Sequence, residues 1–134
     1  MKRATLDTNI LVSALLFNGN ERRVLEAAIR GDYKLILSFP ILDEVEGVLR
    51  RLGVDETMIE GYLLRLMEIS EIVAPKKIEE TPLRDRDDIK ILECAVSGSS
   101  NYIITGDQDL LTLIEYRGIK ILRSIEFLNL IKRD

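Results

Sequence analysis

The chain has 134 residues, a length that fits one domain with a single core, and we predict that residues 1–134 form that domain. Hydrophobic residues make up 46% of the chain and charged residues 31%, which is typical of a globular protein and argues against disorder. The absence of histidine excludes a Ser-His-Asp triad and imidazole metal ligands, and the single cysteine excludes an intramolecular disulfide and a multi-cysteine zinc site. Carboxylate, hydroxyl, lysine and metal chemistry remain.

The chain begins with a basic and then apolar stretch, Met1–Leu6, which Asp7 interrupts too early for a signal peptide. No apolar run approaches the roughly 20 residues that a membrane-spanning helix needs. We therefore expect a cytoplasmic protein without membrane contact.

Strand-like and helical patterns alternate along the chain, without a linker or an internal repeat. Alternation of this kind favours a parallel sheet with helices on both faces, so we predict an α/β fold with three layers, α/β/α. The predicted strands lie near residues 3–7, 33–38, 71–74, 102–105 and 119–122. The predicted helices cover residues 8–17, 21–30, 40–52, 55–68, 87–97, 108–116 and 124–132.

Four acidic residues stand at strand ends or helix starts: Asp7, Glu44, Asp88 and Asp107. In an open α/β sheet, functional groups gather beyond the carboxyl ends of the strands, so these four side chains are expected to converge. Clustered carboxylates repel one another, and hard divalent cations such as Mg²⁺ relieve that repulsion through oxygen ligands. An acidic metal site is the leading interpretation.

Each acid also has a plain structural explanation. Asp7 could cap the following helix, although Thr8 or Asn9 could cap it equally well. Asp88 shares one helical stripe with Ile91, Leu92 and Ala95, where a carboxylate is costly unless it is paired, metal-bound or at a cleft edge; a satisfied N-cap is the alternative.

The remaining candidates are less sharply defined by periodicity. Glu44 and Glu46 flank the apolar stripe of their helix about equally, and only its position nearer the helix start favours Glu44. Asp107 and Asp109 bracket another helix start, where Asp109 could be an ordinary first-turn acid. Ser38 and Thr105 end strands, and either hydroxyl could orient a ligand or merely terminate strand pairing.

Four stretches of the chain form an ordered set of motifs: DTNILVSA at 7–14, Ser38 with Glu44 six residues later, DIKILECA at 88–95 and YIITGDQDLL at 102–111. Each motif is short, but the four with these separations are specific and cover nearly the whole chain. Taken in order, they resemble the PIN-domain family, and in particular the VapC-like toxins of toxin–antitoxin systems.

The resemblance implies a five-stranded parallel sheet and a Mg²⁺- or Mn²⁺-dependent ribonuclease that leaves 5′-phosphate and 3′-hydroxyl ends. It matches Asp7, Glu44, Asp88 and Asp107 to the metal-binding and catalytic acids of the family, and Asn9, Thr105 and Asp109 to supporting positions. Thr8 and Ser38 are further supporting candidates. Arg86 stands where many relatives have proline, which leaves open whether Asp85, Asp87 or Asp88 lies nearest the metal; the buried stripe favours Asp88.

The net charge of −4 alone argues weakly against a nucleic-acid partner. Setting the four site acids aside balances the 19 basic residues against 19 acidic ones, and bound divalent ions would make the cleft attractive to phosphate. Basic residues at 22–23, 50–51, 76–77, 84 and 86 could contact an RNA backbone, although most such residues are simply solvated. RNA, a cognate antitoxin and a second copy of the chain are the expected partners.

Three other classes of protein deserve comparison. A receiver-type phosphoacceptor domain would need an aspartate after the middle strand, and the stretch EIVAP at 71–75 ends without one. A haloacid-dehalogenase phosphatase would need an aspartate two residues after Asp7, where Asn9 stands. A non-catalytic RNA- or protein-binding module on the same fold is the main alternative, and the presence of all four acids disfavours it.

Overall fold

The computed structural model describes residues 1–132, so the last two positions of the predicted domain lie outside the described residues. The strands are β1 Arg3–Leu6, β2 Lys34–Leu37, β3 Ser70–Ile72, β4 Tyr102–Ile104, β5 Glu115–Tyr116 and β6 Ile119–Leu122. The helices are α1 Thr8–Leu16, α2 Asn20–Arg30, α3 Phe39–Arg51, α4 Glu56–Ile69, α5 Arg86–Ser97, α6 Gln108–Leu113 and α7 Ser124–Lys132. Apart from the end of α6, every predicted boundary lies within two residues of the observed one.

The sheet has the strand order β3-β2-β1-β4-β6-β5. The strands β3, β2, β1, β4 and β6 are parallel to one another. The α/β fold and the five parallel strands are therefore confirmed. The predicted helix 108–116 is too long, because Glu115–Tyr116 form a sixth strand that pairs antiparallel with β6. Arg117 and Gly118 both have positive φ, 49° and 82°, which is the backbone of a two-residue hairpin turn that closes this pair.

The three layers follow from the direction of the crossovers. The strands β1, β2 and β3 follow one another from the middle of the sheet to one edge. The connection from β3 through α5 then crosses back to β4, which lies on the other side of β1. Because parallel crossovers are right-handed, a reversal of direction places α5 on the face opposite to α1–α4. Helix α5 packs on β1, β2 and β4, and the inner strands are buried on both faces, as at Leu35, Ile36 and Leu37.

The reversal also positions the functional edge of the sheet. β1 and β4 are neighbours whose following segments leave toward opposite sides, which opens a crevice beyond their carboxyl ends. Asp7 directly follows β1, and Thr105 directly follows β4. Within residues 1–132, no helix combines the length and the apolar character that crossing a membrane requires.

Candidate metal centre

An open cleft of about 190 Å³ lies at this crevice, and its walls are almost entirely polar. Six of its nine lining residues were predicted as site residues from the sequence, so the expected convergence at the sheet edge takes place. The lining residues are Asp7, Thr8, Asn9, Glu44, Asp85, Asp87, Asp88, Ile91 and Asp107.

Asp7 is buried, with 7% of its surface exposed, and both of its carboxylate oxygens accept hydrogen bonds. Oδ1 accepts from the backbone N–H of Ile10 at 3.0 Å, which makes Asp7 the N-cap of α1, and Oδ2 accepts from the hydroxyl of Thr105. Burial raises the pKa of Asp7, while the bonds from Thr105 and Ile10 oppose that rise. Asp7 is thus a helix cap and also faces the cleft, and the two predicted roles are compatible.

Asp88 occupies the first turn of α5 and is 8% exposed, but it does not cap that helix. Asp85 is the N-cap, since its side chain accepts a hydrogen bond from the N–H of Asp87 at 2.8 Å. The capping alternative for Asp88 is therefore wrong. Burial, followed by the charges of Asp107, Asp85, Asp109 and Asp7, raises the pKa of Asp88 to about 6.

Asp107 and Asp109 complete a group of carboxylates with Asp88. One oxygen from each of the three residues lies within 4.8 Å of the other two. Asp107 caps α6, its Oδ1 accepting from the N–H of Asp109 at 2.7 Å, and its own N–H donates to Thr105 Oγ at 2.9 Å. Among the described residues, these three acids form no ion pair with lysine or arginine, so their mutual repulsion has no cation to offset it.

Glu44 lies on another side of the cleft in a different electrostatic environment. Its Oε1 accepts a hydrogen bond from the Thr8 hydroxyl and forms an ion pair with Lys90 Nζ at 2.8 Å. Lys90 also contacts Asp87 Oδ1 at 3.0 Å, and this bond is the main reason that the pKa of Asp87 is lowered. The structure brings Glu44 to the cleft and places a lysine against it.

Two supporting candidates differ in their placement. Asn9 is exposed and lines the cleft beside Asp7. Ser38 does not line the cleft: its side chain is fully buried at the N-cap position of α3, and its Oγ has no hydrogen-bond partner among the described residues. Of the two strand-ending hydroxyls, only that of Thr105 contacts a predicted site residue.

Lys90 is the residue at this site that sequence analysis missed. Lys90 comes two residues after Asp88, about 200° around the helix, so it lies off the buried stripe of Asp88 and Ile91. It reaches sideways to Glu44 on α3, a contact between helices that periodicity within α5 cannot reveal. The available signal was the spacing of three residues from Asp87, which favours an ion pair on one helix face.

The donor set fits a hard divalent cation. All grouped side chains offer carboxylate oxygen, which is the ligand type that Mg²⁺ and Mn²⁺ prefer. Burial and, after it, the charges of the neighbouring acids raise the pKa of Asp88, and a bound cation would offset both effects. The residues present therefore suit a divalent ion held between Asp88, Asp107 and Asp109, next to Asp7.

The described α/β domain thus has an acidic cleft at its topological switch point, where a divalent ion and a ligand can bind. A family model described as the PIN domain matches residues 3–109, which is most of the chain and includes Asp7, Glu44, Asp88 and Asp107. The chain belongs to the PIN domain family, as its motifs predicted. PIN domains are generally metal-dependent nucleases. Comparison with curated proteins gave no match.

Proposed function

We propose that this protein is a Mg²⁺- or Mn²⁺-dependent endoribonuclease. The observation that carries the proposal is the convergence of the Asp88, Asp107 and Asp109 oxygens, within 4.8 Å of one another, at a cleft that Asp88, Asp107 and Asp7 line. Such an arrangement is costly without a cation, since negative charges at these distances repel one another. A retained electrostatic cost at a switch point is typical of a functional site.

Roles follow from the surroundings of each residue. Asp88 and Asp107 are the proposed direct ligands, with Asp109 beside them, and Asp7 holds the ion from the buried wall of the cleft. Glu44 is assigned to act through water or through its neighbours, because its Oε1 already contacts Thr8 and Lys90. Thr105 orients Asp7, and Asn9 is available to the substrate at the rim.

A bound divalent ion supplies Lewis-acid chemistry, which lowers the pKa of water and offsets charge on a phosphodiester. The protein's own contribution is geometric. Hydrogen bonds from Ile10 N–H and the Thr105 hydroxyl fix both oxygens of Asp7, and the helix caps fix Asp85 and Asp107. These side chains are held in place before substrate arrives, so little reorganisation is needed for an attack in line with the scissile bond.

The phosphate backbone needs cations outside the acidic centre. Two of the predicted basic pairs are partly used within the fold, because Arg22 donates to the carbonyl groups of Ala14 and Leu15 and Arg50 pairs with Glu46 and Glu56. Arg84 and Arg86 are exposed at the start of α5, next to Asp85 and Asp87 of the cleft. We assign backbone contact to these two arginines.

We further propose that cleavage serves a toxin–antitoxin system, in which this chain is the VapC-like toxin, acts in the cytoplasm and is held inactive by a cognate antitoxin, with a homodimer as the toxin's own form. The support is the resemblance of the four sequence motifs. A small antitoxin-like reading frame directly upstream, whose co-expression restores growth of cells that this protein arrests, is the expected result. Growth arrest that persists with that neighbour co-expressed would contradict the toxin assignment.

Cleavage of single-stranded RNA tests the nuclease proposal itself. We expect cleavage with Mn²⁺ or Mg²⁺, none with chelator, and a loss of about 100-fold or more in Asp88→Asn. Asp43→Asn is the matched control, since Asp43 is an exposed acid next to Glu44 that does not line the cleft. RNA binding without cleavage under every metal condition would favour the non-catalytic module instead.

A further inference from the structure

The acidic cleft consists of two parts with different charge balance. Asp88, Asp107 and Asp109 form a group without an ion pair to lysine or arginine among the described residues, and we call it the open group. Glu44 and Asp87 form a second group that shares one ammonium, that of Lys90, and we call it the paired group. Asp88 and Asp107 of the open group line the same cleft as Glu44 and Asp87, so neighbouring carboxylates in one cleft have two different charge environments.

The contacts of Lys90 are close and partly shielded from water. Its Nζ lies 2.8 Å from Glu44 Oε1 and 3.0 Å from Asp87 Oδ1, and its side chain is only 16% exposed. Glu44 is 24% exposed and takes a second hydrogen bond on the same oxygen from Thr8. The Lys90–Glu44 pair is therefore screened less than a surface pair, whereas Asp87, whose side chain is 63% exposed, is held by the same ammonium at the rim of the cleft.

A divalent ion between Glu44 and Asp87 would have to displace this ammonium. The displaced ammonium of Lys90 would still lie close to the doubly charged cation, and the repulsion between like charges at such distances is costly. The open group presents no such barrier. The two parts of the cleft therefore differ in their expected affinity for metal, although both consist of carboxylates.

We propose that Lys90 takes the place of a second divalent ion: it neutralises Glu44 and Asp87, positions Glu44 against Thr8, and restricts tight metal binding to one ion at the open group. Lys90 is thus a positioning residue. The inference rests on the proposed metal-dependent function of the cleft, and it makes a separate statement about the number of ions bound.

The number of Mn²⁺ ions bound per chain tests the proposed role of Lys90. Free Mn²⁺ is titrated against the intact protein and quantified by electron paramagnetic resonance, with no RNA present. We expect one tightly bound ion per chain in the natural protein and in Lys90→Arg, and two in Lys90→Met, because removal of the ammonium opens the paired group. The control is Arg65→Met, which removes a cation from an exposed pair with Glu68 at the same spacing of three residues and should leave one ion.

Glu44→Gln supplies an independent measurement in case Lys90→Met does not fold, which circular dichroism reports. If Lys90 occupies the paired group, Glu44→Gln keeps one ion and changes its affinity by less than about threefold, since the lost charge is only a neighbour. If Glu44 were a direct ligand, affinity would fall by about tenfold or more.

The outcomes separate the two proposals. Two tight ions in the natural protein, or one ion of unchanged affinity in a folded Lys90→Met, would overturn the role of Lys90 while leaving the metal site intact. No bound Mn²⁺ in the natural protein would overturn the metal-dependent function and the inference with it.

Discussion

Thr105 and Asp7 join the carboxyl ends of β4 and β1 through a direct hydrogen bond from the Thr105 hydroxyl to Asp7 Oδ2. The same Thr105 Oγ accepts the backbone N–H of Asp107 at 2.9 Å. One small side chain therefore connects the two strands that flank the switch point, and through them two of the proposed site acids. Its full burial, with no exposed surface, protects both bonds from competing water.

Thr105→Val tests this connection, since valine keeps the shape and removes the hydroxyl. Asp7 would lose the bond that most opposes the rise in its pKa, and Asp107 N–H would lose its acceptor. We expect a loss of about 1–3 kcal/mol in the free energy of unfolding, measured in urea at neutral pH, together with weaker Mn²⁺ binding.

Thr105→Ser is the matched control, because serine retains the hydroxyl and loses one methyl group. We expect it to keep most of the metal affinity that the valine variant loses. Equal affinities for the serine and valine variants would show that the hydroxyl does not organise the site.

The pH dependence of the metal-free protein provides a second prediction. Asp88 has a folded pKa of about 6, above the value of about 3.9 for an unfolded aspartate, so between these values the folded state binds more protons than the unfolded state. The free energy of unfolding should therefore fall as pH rises through about 4 to 6 and then level off. Asp7 contributes in the same direction. Carboxylates with lowered pKa, such as Glu56 beside Arg50, act oppositely but only below about pH 4.5.

Urea unfolding in chelator at pH 5 to 7.5 isolates this effect. We expect the downward slope of the natural protein to flatten in Asp88→Asn, which cannot titrate. With saturating Mn²⁺ the downward slope of the natural protein should largely disappear, because the ion displaces the proton from Asp88 and leaves this carboxylate deprotonated in both the folded and the unfolded state above pH 5. An identical slope in chelator and in Mn²⁺ would contradict a metal site at Asp88.

Gly98 allows a prediction about the packing of α5 on the sheet. A Cβ atom there would lie 2.3 Å from Ile36 Cγ2 on β2 and 3.1 Å from the Cys94 carbonyl oxygen. We expect Gly98→Ala to lower the free energy of unfolding by about 1–3 kcal/mol, as overpacked cores do. Gly47→Ala in α3 is the control: its Cβ meets nothing within 4 Å, so alanine should stabilise the helix by about 0.5–1 kcal/mol. Equal stability of the two variants would contradict the tight approach at Gly98.

The sequence predicts this fold well where a pattern repeats locally. The stripe of Asp88, Ile91, Leu92 and Ala95 predicted both α5 and its buried carboxylate, because a helix imposes one period on all its residues. The strand Glu115–Tyr116 escaped prediction for the opposite reason: two residues are too short for a period, and the turn depends on positive φ at Arg117, a residue type that gives little signal.

For the candidate site, too, local patterns predicted some features and missed those that depend on the packing of separate elements. Acids at strand ends were predictable, since parallel strands bring their carboxyl ends together. Partners across helices were not, as the Lys90–Glu44 pair shows, because they depend on how α3 and α5 are placed relative to each other. Ser38 illustrates the limit in the other direction: it ends a strand as Thr105 does, yet its side chain is turned into the interior and does not line the cleft.

The sharpest prediction concerns Asp7→Asn and Asp88→Asn, which should abolish metal-dependent RNA cleavage while the protein stays folded. The charged form of Asp88 is destabilised in the metal-free protein, since burial and four neighbouring acids raise the pKa of Asp88 to about 6. Asparagine removes that charge, so we expect Asp88→Asn to raise the metal-free free energy of unfolding by about 1–2 kcal/mol at pH 7.5. Asp7→Asn should change it little, because asparagine can still cap α1 through Ile10 N–H, its amide N–H can donate to Thr105 Oγ in place of the bond that Oδ2 accepts, and the cost of a buried charge is removed.

Metal reverses the order of stability. Saturating Mn²⁺ stabilises any protein that binds it in the folded state, so the melting temperature of the natural protein should rise over its value in chelator, and those of both variants should rise much less. Cleavage of single-stranded RNA is measured on the same samples, with circular dichroism to verify folding. A residue that only capped a helix would leave both the metal response and the cleavage rate unchanged in its asparagine variant. Folded variants that respond to Mn²⁺ and cleave RNA like the natural protein would therefore remove Asp7 or Asp88 from the site, because no ligand role survives the loss of the carboxylate without a change in metal affinity.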